Sequence, residues 1–219
     1  MKKFFVTIAV LVGISLGVKA QSTQQDAETY TRTITRRADK IVATLHTPDS
    51  IQVRAIIVDQ YRQLNTTHDL YNAQIKQIKA ATDLSKEIQE VKIKQTEEQR
   101  MRALEKAHSL YLSKLGKVLS DQQVEAVKDG MTYGVLPITY KGYQEMLPEL
   151  TEDQKKQILA YLTEARERAM DAESSNKKHA WFGKYKGKIN NYLSASGIDM
   201  KQASKAWEER IAREKNKVN

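Results

Sequence analysis

The sequence predicts an all-α protein: a multi-helix bundle with a long antiparallel helical hairpin and one extended connection containing tyrosine, glycine and proline. Three observations carry this. Only three prolines and nine glycines interrupt 219 residues. Long stretches are rich in Ala, Gln, Glu, Lys, Leu and Arg, residues that lose little on entering a helix. Apolar residues recur at steps of three and four, which places them on one helical face.

The chain opens with "MKKFFVTIAVLVGISLGVKA". Lys2 and Lys3 form a basic start, Phe4 to Val18 is apolar, and Val18-Lys19-Ala20 ends in a small-residue cleavage pattern, so residues 1–20 read as a secretory signal peptide. The apolar run is shorter than the ~20 residues that a membrane span needs. The expected product is exported to the periplasm or the extracellular space, soluble, without a stable membrane anchor, and forms one helical domain over residues 21–219. Within it, residues 49–119 form the hairpin, and residues 120–213 form a compact part with the candidate ligand surface.

In the first mature segment Tyr30, Ile34, Ala38, Ile41 and Leu45 share one face. Thr47-Pro48 reads as an N-cap followed by proline at the first helical position. Two long polar helices follow, with Ile57, Tyr61 and Leu64 on the first and Leu104, Tyr111 and Leu115 on the second, joined near residues 80–83. Asn65-Thr66-Thr67 is a weak point in the first. Ser85 to Arg100 has too few apolar residues to be packed on both sides.

Two helix starts are explicit. Ser120 precedes Gln123 and Thr151 precedes Gln154 by three residues, the spacing of a capping box. Between these helices, "KDGMTYGVLPITYKGYQEMLP" carries Gly130, Gly134, Gly142, Pro137, Pro148 and three tyrosines, and reads as an ordered, ligand-facing connection. Near the C-terminus, Gly197 is placed to end one helix and Asp199 to cap the last, which carries Met200, Ala203, Trp207 and Ile211.

Cysteine is absent, which excludes disulfides, thiolate metal sites, thiol catalysis and a lipid-modified N-terminal cysteine. The formal charge of +9 includes three leader lysines, leaving +6 on the mature chain. A basic exported protein meets anionic partners such as uronate-rich polysaccharide, lipopolysaccharide or a membrane surface, or simply uses the charge for solubility. Nucleic acid fits the sign but not the compartment. Neither metal-ligand spacing nor a cofactor-binding loop occurs, so no metal or cofactor is expected.

The segment "KKHAWFGKYKGKINNYLSASG" holds five lysines, four aromatic rings and no acid. Read as a helix, it turns Phe182, Tyr185, Ile189, Tyr192 and Leu193 to the core. Trp181, Lys184, Lys188 and Asn191 form a partly exposed stripe, with Gly183 and Gly187 beyond it. Interior glycines cost about 1 kcal/mol each relative to alanine, so something must offset them. A close helix crossing is the ordinary explanation; a ligand lying against bare backbone is the sharper one. Aromatic faces stack on sugars while Lys and Asn serve carboxylates and hydroxyls, so the expected ligand-binding residues are Trp181, Lys184, Lys188, Asn191, Gly183 and Gly187, with Tyr133 and Tyr140 from the connection. Catalysis has weaker candidates: a His68-Asp69 pair, His179 beside Lys178, and the acids Asp129, Glu145 and Glu149 around the connection. No catalytic residue is assigned.

The two L-[S/T]-x-x-Q starts resemble the repeated motif of periplasmic chaperones of the Spy and CpxP type. More broadly, "YTRTITRRADKIVATL", "VKDGMTYGVLPITYKGYQEMLPELTEDQKKQILAYLTEARERAMDA" and "KHAWFGKYKGKINNYLSASGIDM" together resemble an exported family of helical domains of unknown function from glycan-degrading Bacteroidota, described as sugar-binding. That resemblance spans the mature chain and implies polysaccharide utilisation, with no catalytic residues to carry over. The expected function is carbohydrate binding without catalysis, toward a neutral or uronate-containing saccharide. The alternatives are a helical chaperone or protein-interaction module acting through the hairpin, and a lyase or hydrolase of acidic glycans.

Overall fold

A computed structural model describes residues 13–218, with side chains over residues 25–216. The greater part of the leader expected at residues 1–20 therefore lies outside the described residues. Among those described there are eight helices and no strand: α1 (Gly13–Val42), α2 (Ser50–Ala80), α3 (Lys86–Leu115), α4 (Asp121–Met131), α5 (Val135–Met146), α6 (Glu152–Met170), α7 (Ser175–Ala195) and α8 (Met200–Val218). The chain is all-α. None of the described helices is long and apolar enough to cross a membrane.

The α2–α3 hairpin forms as the periodicity requires, and α2 runs unbroken through Asn65-Thr66-Thr67. Its two helices run antiparallel: Lys114 pairs with Asp59 at 3.0 Å near the base, and Arg100 donates to Asn72 Oδ1 at 3.1 Å further out. Toward the tip, only Thr96 of residues 85–100 is buried. The base is anchored in a core where Ile34, Ala38 and Ile41 of α1 meet Val53 and Ile57 of α2, Tyr111 and Leu115 of α3, and Val127 and Met131 of α4. A second core is built by Leu136 and Tyr143 of α5, Ile158 and Leu162 of α6, and Phe182, Tyr185, Ile189 and Leu193 of α7, with Met200 of α8 against it.

Both capping boxes are present: Ser120 and Thr151 accept from the backbone N–H three residues on, and Gln123 and Gln154 reach back to the cap. Gly197, at φ +87°, closes α7 with paired bonds from Ile198 N to Leu193 O (3.1 Å) and Gly197 N to Ser194 O (3.0 Å), the Schellman arrangement. Asp199 Oδ1 accepts from Lys201 N and Gln202 N, both at 3.0 Å, and starts α8.

Two expectations are corrected. Thr47-Pro48 does not start a helix: Asp49 is the N-cap, Pro48 precedes it, and Thr47 Oγ1 accepts from Asp49 N at 3.3 Å. The connection over residues 130–148 is mostly helix α5 rather than an extended loop. Its breakers sit where a helix tolerates them. Pro137 lies in the first turn, where N–H groups lack intrahelical partners, and Pro148 follows the C-cap Leu147. The reversal from α4 to α5 is confined to Thr132–Gly134, with Tyr133 and Gly134 left-handed at φ +60° and +65°.

Candidate functional site

Helix α7 is the organising element. Phe182, Tyr185, Ile189 and Leu193 are buried and Tyr192 is half-buried, so the expected core stripe holds. Trp181 is half-buried, and Lys184, Lys188 and Asn191 are exposed, as expected. The lysines fold back over the rings: Lys184 Nζ lies 5.1 Å from the Trp181 ring centre and Lys188 Nζ 4.3 Å from that of Tyr185. Trp181 and Tyr185 are 6.5 Å apart, and Tyr161 of α6 lies 6.5 Å from Tyr185 and 6.4 Å from Tyr192. A row of aromatic rings thus runs along the α6–α7 seam with ammonium groups above it.

Two of the remaining expected residues, Tyr133 and Gly183, lie on the other flank. Tyr133, 41% exposed, stacks on His179 at 5.6 Å and 15°. A helix turns 100° per residue, so His179 and Gly183 fall on the opposite side of the core stripe from Trp181 and Lys188. Tyr140 packs on the second core. Tyr133 and Gly183 thus stand apart from the Trp181 stripe, whereas Gly187 falls about 40° from Asn191 on the exposed side of α7. The structure also removes the ordinary explanation for the glycines: a Cβ at Gly183 or Gly187 would meet nothing within 4 Å among the described residues, so no described helix crosses closely there.

Trp181 lines a groove of about 360 Å³ between the hairpin and the α6–α7 corner. Met101 and Leu104 of α3 supply aliphatic surface, Arg100, Arg168 and Lys177 supply positive charge, and Glu97, Glu105, Asp171 and Glu173 supply acids. Arg100 is paired with Glu97, and Lys177 with Glu173 at 2.7 Å. Arg168 is exposed and makes no ion pair among the described residues.

Two histidines of the hairpin clamp the corner behind this groove. His68, from α2, is buried, and its Nε2 lies 2.8 Å from the backbone oxygen of Asp171, so Nε2 carries a proton and donates. Its Nδ1 has no hydrogen-bond partner, with Glu173 Oε2 3.7 Å away. The expected His68-Asp69 pair does not form: Asp69 accepts instead from Asn65 Nδ2 at 2.8 Å. His108, from α3, has Nδ1 2.9 Å from Asp171 Oδ2 and Nε2 3.1 Å from Glu167 Oε2. Hydrogen bonds to Asp171 and Glu167 outweigh burial and push its pKa up to about 9.

The network continues inward. Burial raises Glu167, but His108, Lys128 and Arg166 outweigh that and hold it down at about 2. Arg166, 3% exposed, donates to Asp129 Oδ1 at 2.8 Å and pairs with Glu125 and, at 3.2 Å, with Glu167. Half-buried Asp129 is thus paired with Arg166, while Glu145 pairs with Lys141 on the surface; these acids do not converge as a catalytic pair. No group of three His, Asp or Glu placed to hold a metal occurs among the described residues.

Lys178, singled out in the sequence only as the neighbour of His179, is a buried cation. It is 4% exposed, donates to Met131 O at 3.1 Å and Met170 O at 3.2 Å, and so ties together the C-terminal ends of α4 and α6. Burial pushes its pKa down to about 8. Its place four residues before Phe182 on the core stripe was the available signal; His68, four after Leu64, gave the same one.

No curated protein matches the chain. Residues 31–213 match the family described as "Protein of unknown function (DUF3826)", a match that spans α2 to α7, the C-terminal part of α1 and most of α8, and the chain belongs to that family.

Proposed function

We propose that this chain is an exported, non-catalytic carbohydrate-binding protein serving polysaccharide utilisation, and that its ligand is a carboxylate-bearing saccharide held in the groove at Trp181. One observation carries the reading: a half-buried indole and the unpaired cation Arg168 line the same 360 Å³ groove, beside the aliphatic surface of Met101 and Leu104. An indole face suits the C–H face of a sugar ring, and a guanidinium suits a uronate carboxylate in a two-pronged contact. The basic leader-free chain draws an acidic polymer to this surface. The resemblance to sugar-binding exported domains points the same way.

The test is retention of the purified chain on a panel of neutral and uronate-containing polysaccharides, with products assayed after long incubation. Retention on acidic glycans, lost in Arg168→Ala and Trp181→Ala variants that keep their helical spectrum, supports the reading. New reducing or unsaturated ends would replace it with a lyase or hydrolase. A second reading rests on the exposed apolar side chains of the hairpin, Leu70, Val91, Met101 and Leu110, each more than half exposed. They suit a protein client, and suppression of client aggregation without glycan retention would favour it.

A further inference from the structure

We infer that the chain holds a small anion, a carboxylate or a tetrahedral oxyanion, in a second cavity between Lys178, Arg37 and the first turn of α7. This cavity of about 60 Å³ lies between α1, α2 and the start of α7, and Tyr61, His68 and Ser175 also line it. Its volume is about that of two waters, room for a small ion.

Two cations face it without an acid of their own. Lys178 Nζ lies 5.8 Å from the Tyr61 ring centre and Arg37 Cζ 6.0 Å from the same ring, and neither makes an ion pair among the described residues. An ammonium has three donors. Lys178 uses two on the carbonyls of Met131 and Met170, which leaves one.

The start of α7 adds a second source of positive potential. Ser174 caps this 21-residue helix, its Oγ accepting from Lys177 N at 3.3 Å and its carbonyl from Lys178 N at 2.9 Å. The N–H groups of Ser175 and Asn176 stay open, and the helix dipole favours negative charge at this end. His68 supplies the third, independent element. Its side chain is 8% exposed, it lines the cavity, and its Nδ1 has no hydrogen-bond partner. Its nearest acid, Glu173 Oε2, lies 3.7 Å away. Glu173, at the rim, is occupied by Lys177 at 2.7 Å. Burial is the main cause of the depressed pKa of Lys178; Asp171 acts against it but is itself engaged by His108 at 2.9 Å.

The full chain, its Arg37→Gln variant and its Ser175→Glu variant are to be titrated with sulfate, phosphate and glucuronate while thermal unfolding and heat of binding are followed. Wild type should show a saturable rise in Tm, because a ligand of the folded state alone stabilises it. Arg37→Gln, an exposed change, should weaken apparent affinity about tenfold, the scale of one charge-assisted hydrogen bond. Ser175→Glu sets a carboxylate at the mouth of the cavity and should raise the basal Tm while abolishing the response. Sulfate and phosphate binding alone would identify a free oxyanion; glucuronate binding alone would identify a sugar carboxylate.

No saturable response in wild type, or equal responses in wild type and Arg37→Gln, overturns the site. Neither Arg37 nor Ser175 lines the groove at Trp181. Failure here therefore leaves the saccharide reading standing, and loss of glycan retention leaves this site standing.

Discussion

His108 bridges α3 to two carboxylates of the α6–α7 region, and its protonation state sets how firmly the hairpin is held. An unfolded histidine titrates near about 6.5. With the folded value raised to about 9, the stabilisation is complete below the unfolded value and is lost as pH rises through about 9. The shift corresponds to on the order of 3 kcal/mol at full protonation. Glu167 shares that interaction from the other side: held at about 2, it contributes above the usual carboxylate range and loses the contribution as pH falls toward 2. Lys178, depressed to about 8, has the opposite sign on the alkaline side. Charging it opposes folding at neutral pH, and that cost is relieved as pH rises from about 8 toward its unfolded value of 10.5. Urea unfolding from about pH 3 to about pH 10 should show His108→Gln less stable than wild type by on the order of 3 kcal/mol near pH 6, with the difference closing above pH 9. A difference constant with pH would assign the loss to packing instead.

At the scale of the element, helix ends and glycines separate what each residue does. Ser120→Ala and Thr151→Ala each remove one half of an observed capping box and should cost about 1 kcal/mol in chemical denaturation. Gly183→Ala and Gly187→Ala meet open space and should each add about 1 kcal/mol. If either gain comes with weakened glycan retention, a ligand uses that bare backbone; if retention is unchanged, the glycine flank is outside the site. Gly130→Ala should lower stability, because its Cβ would lie 2.7 Å from Ile41 Cγ1, inside the first core. The hairpin, both capping boxes and the α7 core stripe were legible in the sequence because each is set by spacing within a few residues. Helix α5 was hidden because the composition of its segment signals a loop. What decides the matter is that Pro137 and Pro148 stand at a helix's first turn and just beyond its end.

Over the whole molecule, two apolar cores are joined across a polar layer centred on Arg166. Arg166→Met should cost about 3 kcal/mol or more, since it strands the charges of Glu125, Asp129 and Glu167, while their joint replacement by apolar residues should cost far less. A double-mutant cycle of Arg166 with Asp129 would measure that coupling. None of this layer was legible in the sequence, because Glu125, Asp129, Arg166 and His108 meet only through the packing of three separate helices. The candidate groove was half legible for the same reason. Trp181 stands out on its own helix, whereas Arg100, Met101 and Leu104 reach it from a hairpin some eighty positions earlier in the chain.

The most direct test of saccharide binding is a calorimetric titration of the purified chain with a uronate oligosaccharide, at low and high salt, for wild type, Trp181→Phe and Trp181→Ala. The account predicts a saturable isotherm for wild type, weakened by salt as unpaired cations such as Arg168 are screened. Affinity should be largely kept by Trp181→Phe and reduced at least about tenfold by Trp181→Ala, the loss expected of one stacked aromatic ring. Identical isotherms for wild type and Trp181→Ala, or no binding of any uronate oligosaccharide by a folded chain, would contradict it.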